Sequence, residues 1–191
     1  MLMPMSPEKA RTLMREWVGS AALRTHMECV ATCMASYCGG DDAERDRWIV
    51  TGLLHDFDYE RHPTKEEHPF VGVDHLRNHT DVGVEVIEAI LGHATYSGVP
   101  RTSDMAKTLF AVDELSGFIV ACALVRPTGL EGMRAKSVRK KLKNKKFAAG
   151  VSREDITTGV EELGVELSEH IDRCIDAIYA AGINIHSQEP H

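Results

Sequence analysis

No apolar run in these 191 residues approaches the roughly 20 needed to cross a bilayer as a helix, so no spanning segment is expected. The stretch Met1 to Glu16 holds several methionines, but Glu8, Lys9 and Arg11 interrupt any signal-peptide core, which predicts a cytoplasmic protein. No CxxC pair occurs among the five cysteines, Cys29, Cys33, Cys38, Cys122 and Cys174. Their odd number and spacing read as reduced, mostly buried thiols. Positive charge is scarce: 22 Lys and Arg face 29 Asp and Glu, a net charge of -7. That balance argues against a generic nucleic-acid binder or a protein of the membrane surface. Internal repeats, low-complexity tracts and a convincing series of strands are also missing.

What is present reads as helix almost throughout, and the expected fold is all-α. A chain of this length buries roughly 70% of its unfolded surface in one domain and needs no disulfide. Ser6-Pro7 resembles an N-cap followed by proline at the first helical position, opening a helix to about Val18. Helices are expected from about Ser20 to Cys38, stopped by Gly39-Gly40, and from about Asp42 to Asp56. A polar loop, 57–67, follows. Further helices run from His68-Pro69 to about His79, and from a cap at Asp81 to about His93. Ser97 to Pro100 is a loop, and Ser103 caps a long apolar helix to about Val125. Between Arg126 and Lys146 nine basic residues meet one acid, Glu131, whereas elsewhere 13 basic residues face 28 acidic ones. Two last helices, Ser152 to Leu163 and Ser168 to Ala181, complete the chain, the first with Ser152 and Asp155 resembling a capping box. Asn184 to His191 are expected to fray.

Histidines and aspartates stand where apolar residues belong. Leu23, His26, Val30, Cys33 and Tyr37 share one helical stripe, and Ala106, Phe110, Asp113, Gly117, Val120 and Leu124 share another. Val86, Ile90 and His93 form a shorter one. A lone imidazole in such a stripe is more often a satisfied core residue than a ligand. A buried carboxylate, however, requires an arginine such as Arg24 or Arg101, a proton, or a metal. The apolar run Leu53-Leu54 ends in His55-Asp56, two potential ligands about 100° apart on a helix. An ion beside that helix can take both, with His26 and Asp113 completing a set that leaves positions for water. His68 and His93 are placed in the chain to hold a second ion, with Asp56 between the two. Such mixed nitrogen and oxygen donors suit Mn, Fe, Co, Ni or Zn.

The order His26, His55-Asp56, Asp113 resembles the HD-domain superfamily of metal-dependent phosphohydrolases. "EEHPFVGVDHL" resembles the HP-x-x-G-x-x-x-L segment of its HDIG branch, and "AILGHA" that branch's next histidine. "HDFDYE", "AVDELSGFIVACALVRP" and "KSVRKKLKNKKFAAGVSRE" are similar to a small HDIG-type group. The resemblance implies a single HD-type helical domain over 1–191, with its motif core at about 20–125 and a helical extension at about 126–183. It implies a first metal on His26, His55, Asp56 and Asp113 and a second on Asp56, His68 and His93. The expected activity is hydrolysis of a small phosphomonoester or phosphodiester, with nucleotides in view. Related HD proteins include di-iron oxygenases, and a non-catalytic metal-binding sensor or scaffold is a further alternative. The branch pattern Ile-Gly-Lys after the pair is Phe57-Asp58-Tyr59 here, which removes one cationic phosphate contact.

Asp56 and Asp58 are the candidate catalytic carboxylates. Asp58 and Glu60 read either as partners or proton relays behind the ligands or as a solvated turn. In the basic segment a nucleic-acid patch, a solvated helix face and a phosphate-holding role compete. Lys136 and Arg134, with Arg126 and Lys140 as companions, are the candidates for the last. His62, His75 and His79 read as surface residues, while His170, His186 and His191 carry no pattern. Cys29 and Cys33 read as core.

Overall fold

The computed structural model describes residues 5–185, and every element among them is helical. The helices are α1 (Pro7–Trp17), α2 (Ala21–Tyr37), α3 (Asp42–Leu54), α4 (Phe70–His79), α5 (Val84–His93), α6 (Asp104–Leu124), α7 (Ala135–Leu142), α8 (Arg153–Leu163) and α9 (Leu167–Ala180), with a short 3-10 turn at Thr95–Ser97. No helix among them is long and apolar enough to cross a membrane. The expected frayed end, with His186 and His191, lies from residue 186 onward outside the described residues.

Helix α6 is the axis. Leu109, Phe110, Ala111, Val112, Leu115, Phe118 and Ile119 are buried on successive sides of it, as in a helix surrounded by others. Helices α2, α5, α8 and α9 pack around it, and α3 packs on α2. Two glycines set the closest approaches. A Cβ at Gly52 would lie 2.4 Å from the Ala31 Cα, and one at Gly159 would lie 2.7 Å from the Ala111 Cα. Only a bare backbone permits those crossings, so α3 lies tightly on α2 and α8 on α6.

Side-chain caps open most helices: Ser6, Ser20, Asp41, Ser103 and Ser152 each accept a backbone N–H three residues ahead. Two expected starts differ, and one expected cap is incomplete. Asp81 does not cap α5; its carboxylate accepts the Met5 N–H at 2.8 Å, and Gly83 takes the cap position. Glu166, rather than Ser168, caps α9 and accepts the N–H groups of Ser168 and Glu169. Ser152 makes half of its capping box, because its own N–H donates to Glu114 at 2.9 Å instead of to Asp155. The basic segment contains a helix, α7, as its reading as a helix face allowed; Ala135 and Val138 bury one side of it. All five cysteines are free thiols, with Cys38 half-buried and the others buried.

Candidate metal centre

The apolar end of α3 delivers the first ligands. Leu53 and Leu54 are fully buried, and the Gly52 crossing holds this end of the helix against α2. His55 follows at 0% exposure, and its Nδ1–H donates to the Gly52 carbonyl at 2.8 Å. That bond leaves Nε2 as a lone pair. Nε2 is buried without any hydrogen-bond partner, 3.4 Å from Asp113 Oδ1 and 3.5 Å from Asp56 Oδ2. His26, from α2, brings its Nε2 to 3.0 Å from the same Asp113 oxygen.

The other oxygen of Asp56 faces a second group. Oδ1 lies 3.3 Å from His68 Nε2 and 3.2 Å from His93 Nε2, and those two nitrogens are 3.2 Å apart. The Nδ1–H of His93 donates to the Ile90 carbonyl, and that of His68 to Asp58 Oδ1 at 2.7 Å. As neutral imidazoles both therefore turn an Nε2 lone pair toward the other, and two lone pairs cannot hydrogen-bond.

These spacings fit cations. Donors about 2.1 Å from one ion and roughly a right angle or a tetrahedral angle apart stand about 3.0–3.4 Å from each other. Within each triad, His26, His55 and Asp113 or Asp56, His68 and His93, the ligand atoms all lie within 4.8 Å of one another. Among the described residues no cysteine joins such a group. Neither arginine weighed as a partner of Asp113 reaches it: Arg24 donates to the Val18 carbonyl, and Arg101 pairs with Glu162.

The charges agree. Burial opposes the charged form of His55, but Asp56 and Asp113 outweigh it and push the imidazole up to about 9. Burial likewise opposes His68, and hydrogen bonds to Asp56 and Asp58 outweigh it, again to about 9. Asp56 and Asp113 are held well below the usual carboxylate range, since His55 and the other imidazoles overcome the burial that would raise them. Two ionised carboxylates thus call for positive charge on the converging nitrogens, as a proton or a metal ion.

The surroundings hold the ligands still. Asp58 is 1% exposed; one oxygen accepts from His68 and the other accepts the Gly72 N–H at 2.7 Å. A Cβ at Gly72 would meet the Asp58 carboxylate and the Phe57 ring at 2.8 Å, so the glycine of the HP-x-x-G segment makes room for that carboxylate. Asp58 thus stands behind His68 and does not line the cleft. Glu60 accepts the N–H groups of Gly19 and Ser20 and anchors the start of α2, the helix of His26. Arg101 grips Glu162 through two 2.6 Å bonds, donates to the Gly92 carbonyl beside His93, and stacks 3.7 Å from the centroid of Phe110.

A cleft of about 410 Å³ opens on the triads, and His26, Asp56, His68, His93 and Asp113 contribute to its floor. Its walls include Tyr59, Thr95, Tyr96, Phe110, Glu114 and Asp155, none of which was singled out from the sequence as a wall residue. They carry no pattern that separates them from ordinary polar or core positions. Lys136 and Arg134, expected to hold substrate phosphate, are not brought to this cleft. Both line another cavity, and Arg134 pairs with Asp176 at 2.7 Å. His170, which carried no pattern, is buried between the Tyr37 hydroxyl and the Ala111 carbonyl.

Residues 23–117 match the family model described as HD domain. No curated protein and no solved structure gives a significant match. The matched segment contains all six residues of the two triads, and the match supports a place for the chain in the HD superfamily.

Proposed function

We infer that the chain is a metal-dependent phosphohydrolase acting on a small phosphomonoester or phosphodiester, a nucleotide among the candidates. The observation that carries this reading is the sharing of Asp56 between two sets of converging lone pairs, one with His26, His55 and Asp113, the other with His68 and His93. Divalent ions held there supply an acidified water and neutralise charge on phosphoryl oxygens. Four imidazoles and two carboxylates suit Mn, Fe, Co, Ni or Zn. The chain's own residues do the positioning. The carbonyls of Gly52 and Ile90 and the carboxylate of Asp58 keep three imidazoles in the tautomer that presents Nε2. Asp56 spans both groups, and the cleft admits one small ligand beside them.

The test is hydrolysis of nucleotides and nitrophenyl phosphate esters by Mn- or Fe-loaded protein, with metal content measured on the same samples. Turnover that disappears in His55→Ala supports the reading; turnover that survives it refutes the site. The excess of imidazole over carboxylate also suits a di-iron oxygenase. Oxygen consumption by the reduced iron form, without ester hydrolysis, would favour that alternative. Bound metal with neither activity would favour a sensor or scaffold.

A further inference from the structure

The cleft above the triads is unusual for a phosphate site in the charge of its walls. Among the described residues no Lys or Arg lines it. Two basic residues come close to its aromatic walls and are otherwise engaged. Arg101 lies behind Phe110 and is held by Glu162, while Lys65 lies over the ring of Tyr96, 5.6 Å from its centroid, outside the lining. Two carboxylates outside the ligand set do line it, Glu114 from α6 and Asp155 from α8.

Among the described residues neither carboxylate forms an ion pair with a Lys or Arg. Among the described residues, the only hydrogen bond to the Glu114 carboxylate comes from the Ser152 N–H, and Asp155 makes no side-chain hydrogen bond or ion pair. Glu114 and Asp155 are both half-buried at the wall of the cleft. That the cavity is a ligand site rests on independent grounds: five of the six triad residues line it, and the sixth, His55, which does not, has a fully buried Nε2 that no protein group satisfies. The two acids decide the polarity of what enters.

The charge balance makes the choice. With both triads filled by divalent ions, Asp56 and Asp113 offset half of the positive charge, and a phosphate dianion offsets the rest. Glu114 and Asp155 are then left over, in a partly enclosed cleft where an unpaired carboxylate is costly. A neutral or anionic group placed against them would leave them unpaired, whereas an ammonium would satisfy them by charge-assisted hydrogen bonds. The volume of about 410 Å³ suits a small molecule.

We propose that the substrate is a small phosphate ester whose far end carries a cationic nitrogen, an amino-alcohol phosphate or its equivalent, received by Glu114 and Asp155. This rests on the phosphohydrolase reading for the phosphate end. Its test is separate. Binding of 3-aminopropylphosphonate and of butylphosphonate to the Mn-loaded full chain is measured by titration calorimetry. The two probes differ by an ammonium in place of a methyl. The ammonium probe is expected to bind at least tenfold more tightly, and both Asp155→Asn and Glu114→Gln are expected to shrink that ratio, with circular dichroism confirming that each variant is folded. Equal affinities, no measurable binding of either probe, or a ratio that neither substitution moves would overturn the proposal. Failure to hydrolyse any phosphate ester would overturn the phosphohydrolase reading instead, and would leave the affinity ratio interpretable.

Discussion

Replacing Asp58 by asparagine exchanges one carboxylate oxygen for an amide nitrogen and should weaken a metal ion held by the second triad, Asp56, His68 and His93. In the native chain one carboxylate oxygen accepts the Nδ1–H of His68 at 2.7 Å and the other accepts the N–H of Gly72 at 2.7 Å. An asparagine has one acceptor and one donor group. If its oxygen stays on the Gly72 N–H, its NH2 faces His68 and can bond only to a bare Nδ1. The imidazole proton then moves to Nε2, the atom that faces Asp56 and His93, and His68 ceases to be a ligand. If the amide turns over, its NH2 opposes the Gly72 N–H, and a buried donor is left unpaired at about 1–3 kcal/mol. In that case His68 keeps its tautomer but loses the charged acceptor behind it, so either way the second triad weakens. Loss of a carboxylate behind a metal-bound histidine typically reduces metal affinity by about 10–100-fold, or about 1.4–2.7 kcal/mol. Competitive Mn titration against a chelating dye, with metal content by mass spectrometry, reads this directly. Of the two Mn ions expected per native chain, one should be weakened in Asp58→Asn and the other, on His26, His55 and Asp113, retained. Two ions at undiminished affinity would refute the assigned tautomer and the role given to Asp58.

Gly72→Ala should act on the same carboxylate from behind, since its new Cβ would lie 2.8 Å from the Asp58 side chain and the Phe57 ring. A loss of about 1–3 kcal/mol is expected by urea denaturation, together with weaker binding of the second Mn. His170 has its pKa lowered by burial, so the unfolded chain takes up its proton more readily than the folded one. Its contribution to stability is present above the unfolded value of about 6.5 and is lost as pH falls below it. The stability difference between the native chain and His170→Gln should therefore narrow between pH 7.5 and pH 5; a difference that widens would contradict the buried, neutral imidazole. Arg134→Ala and Lys136→Ala should leave KM for any ester within about twofold, because both residues line another cavity. A tenfold rise in steady-state KM would return them to the site.

How much could be read without coordinates differs from residue to residue. His26 and Asp113 are visible because a polar group breaks an apolar stripe of helical period, and the structure places them 3.0 Å apart. The His55-Asp56 pair is visible because it ends a buried run. Asp58 is ambiguous because a turn carboxylate reads the same whether it meets water or an imidazole; its burial depends on Gly72, fourteen residues on. Asp81 looks like a cap by type and position, yet it is claimed by Met5 from the far end of the chain. The bounds of α7 could not be read because charge dominates its composition; Ala135, Val138 and Leu142 dock it, with the Ala135 N–H donating to Asp172. Glu114 and Asp155 look like solvent-facing helix positions, and only the packing of α8 on α6 brings them to one wall.

Asp56 commits one oxygen to each side of the centre. Its side chain cannot rotate to suit a cation on the left without shifting its reach to the right. Were both triads to hold cations, stripping either would disturb the bed of the other, and a half-stripped sample would be an altered centre rather than a diluted one. Metal stoichiometry and turnover should for that reason fall out of proportion as a chelator is added.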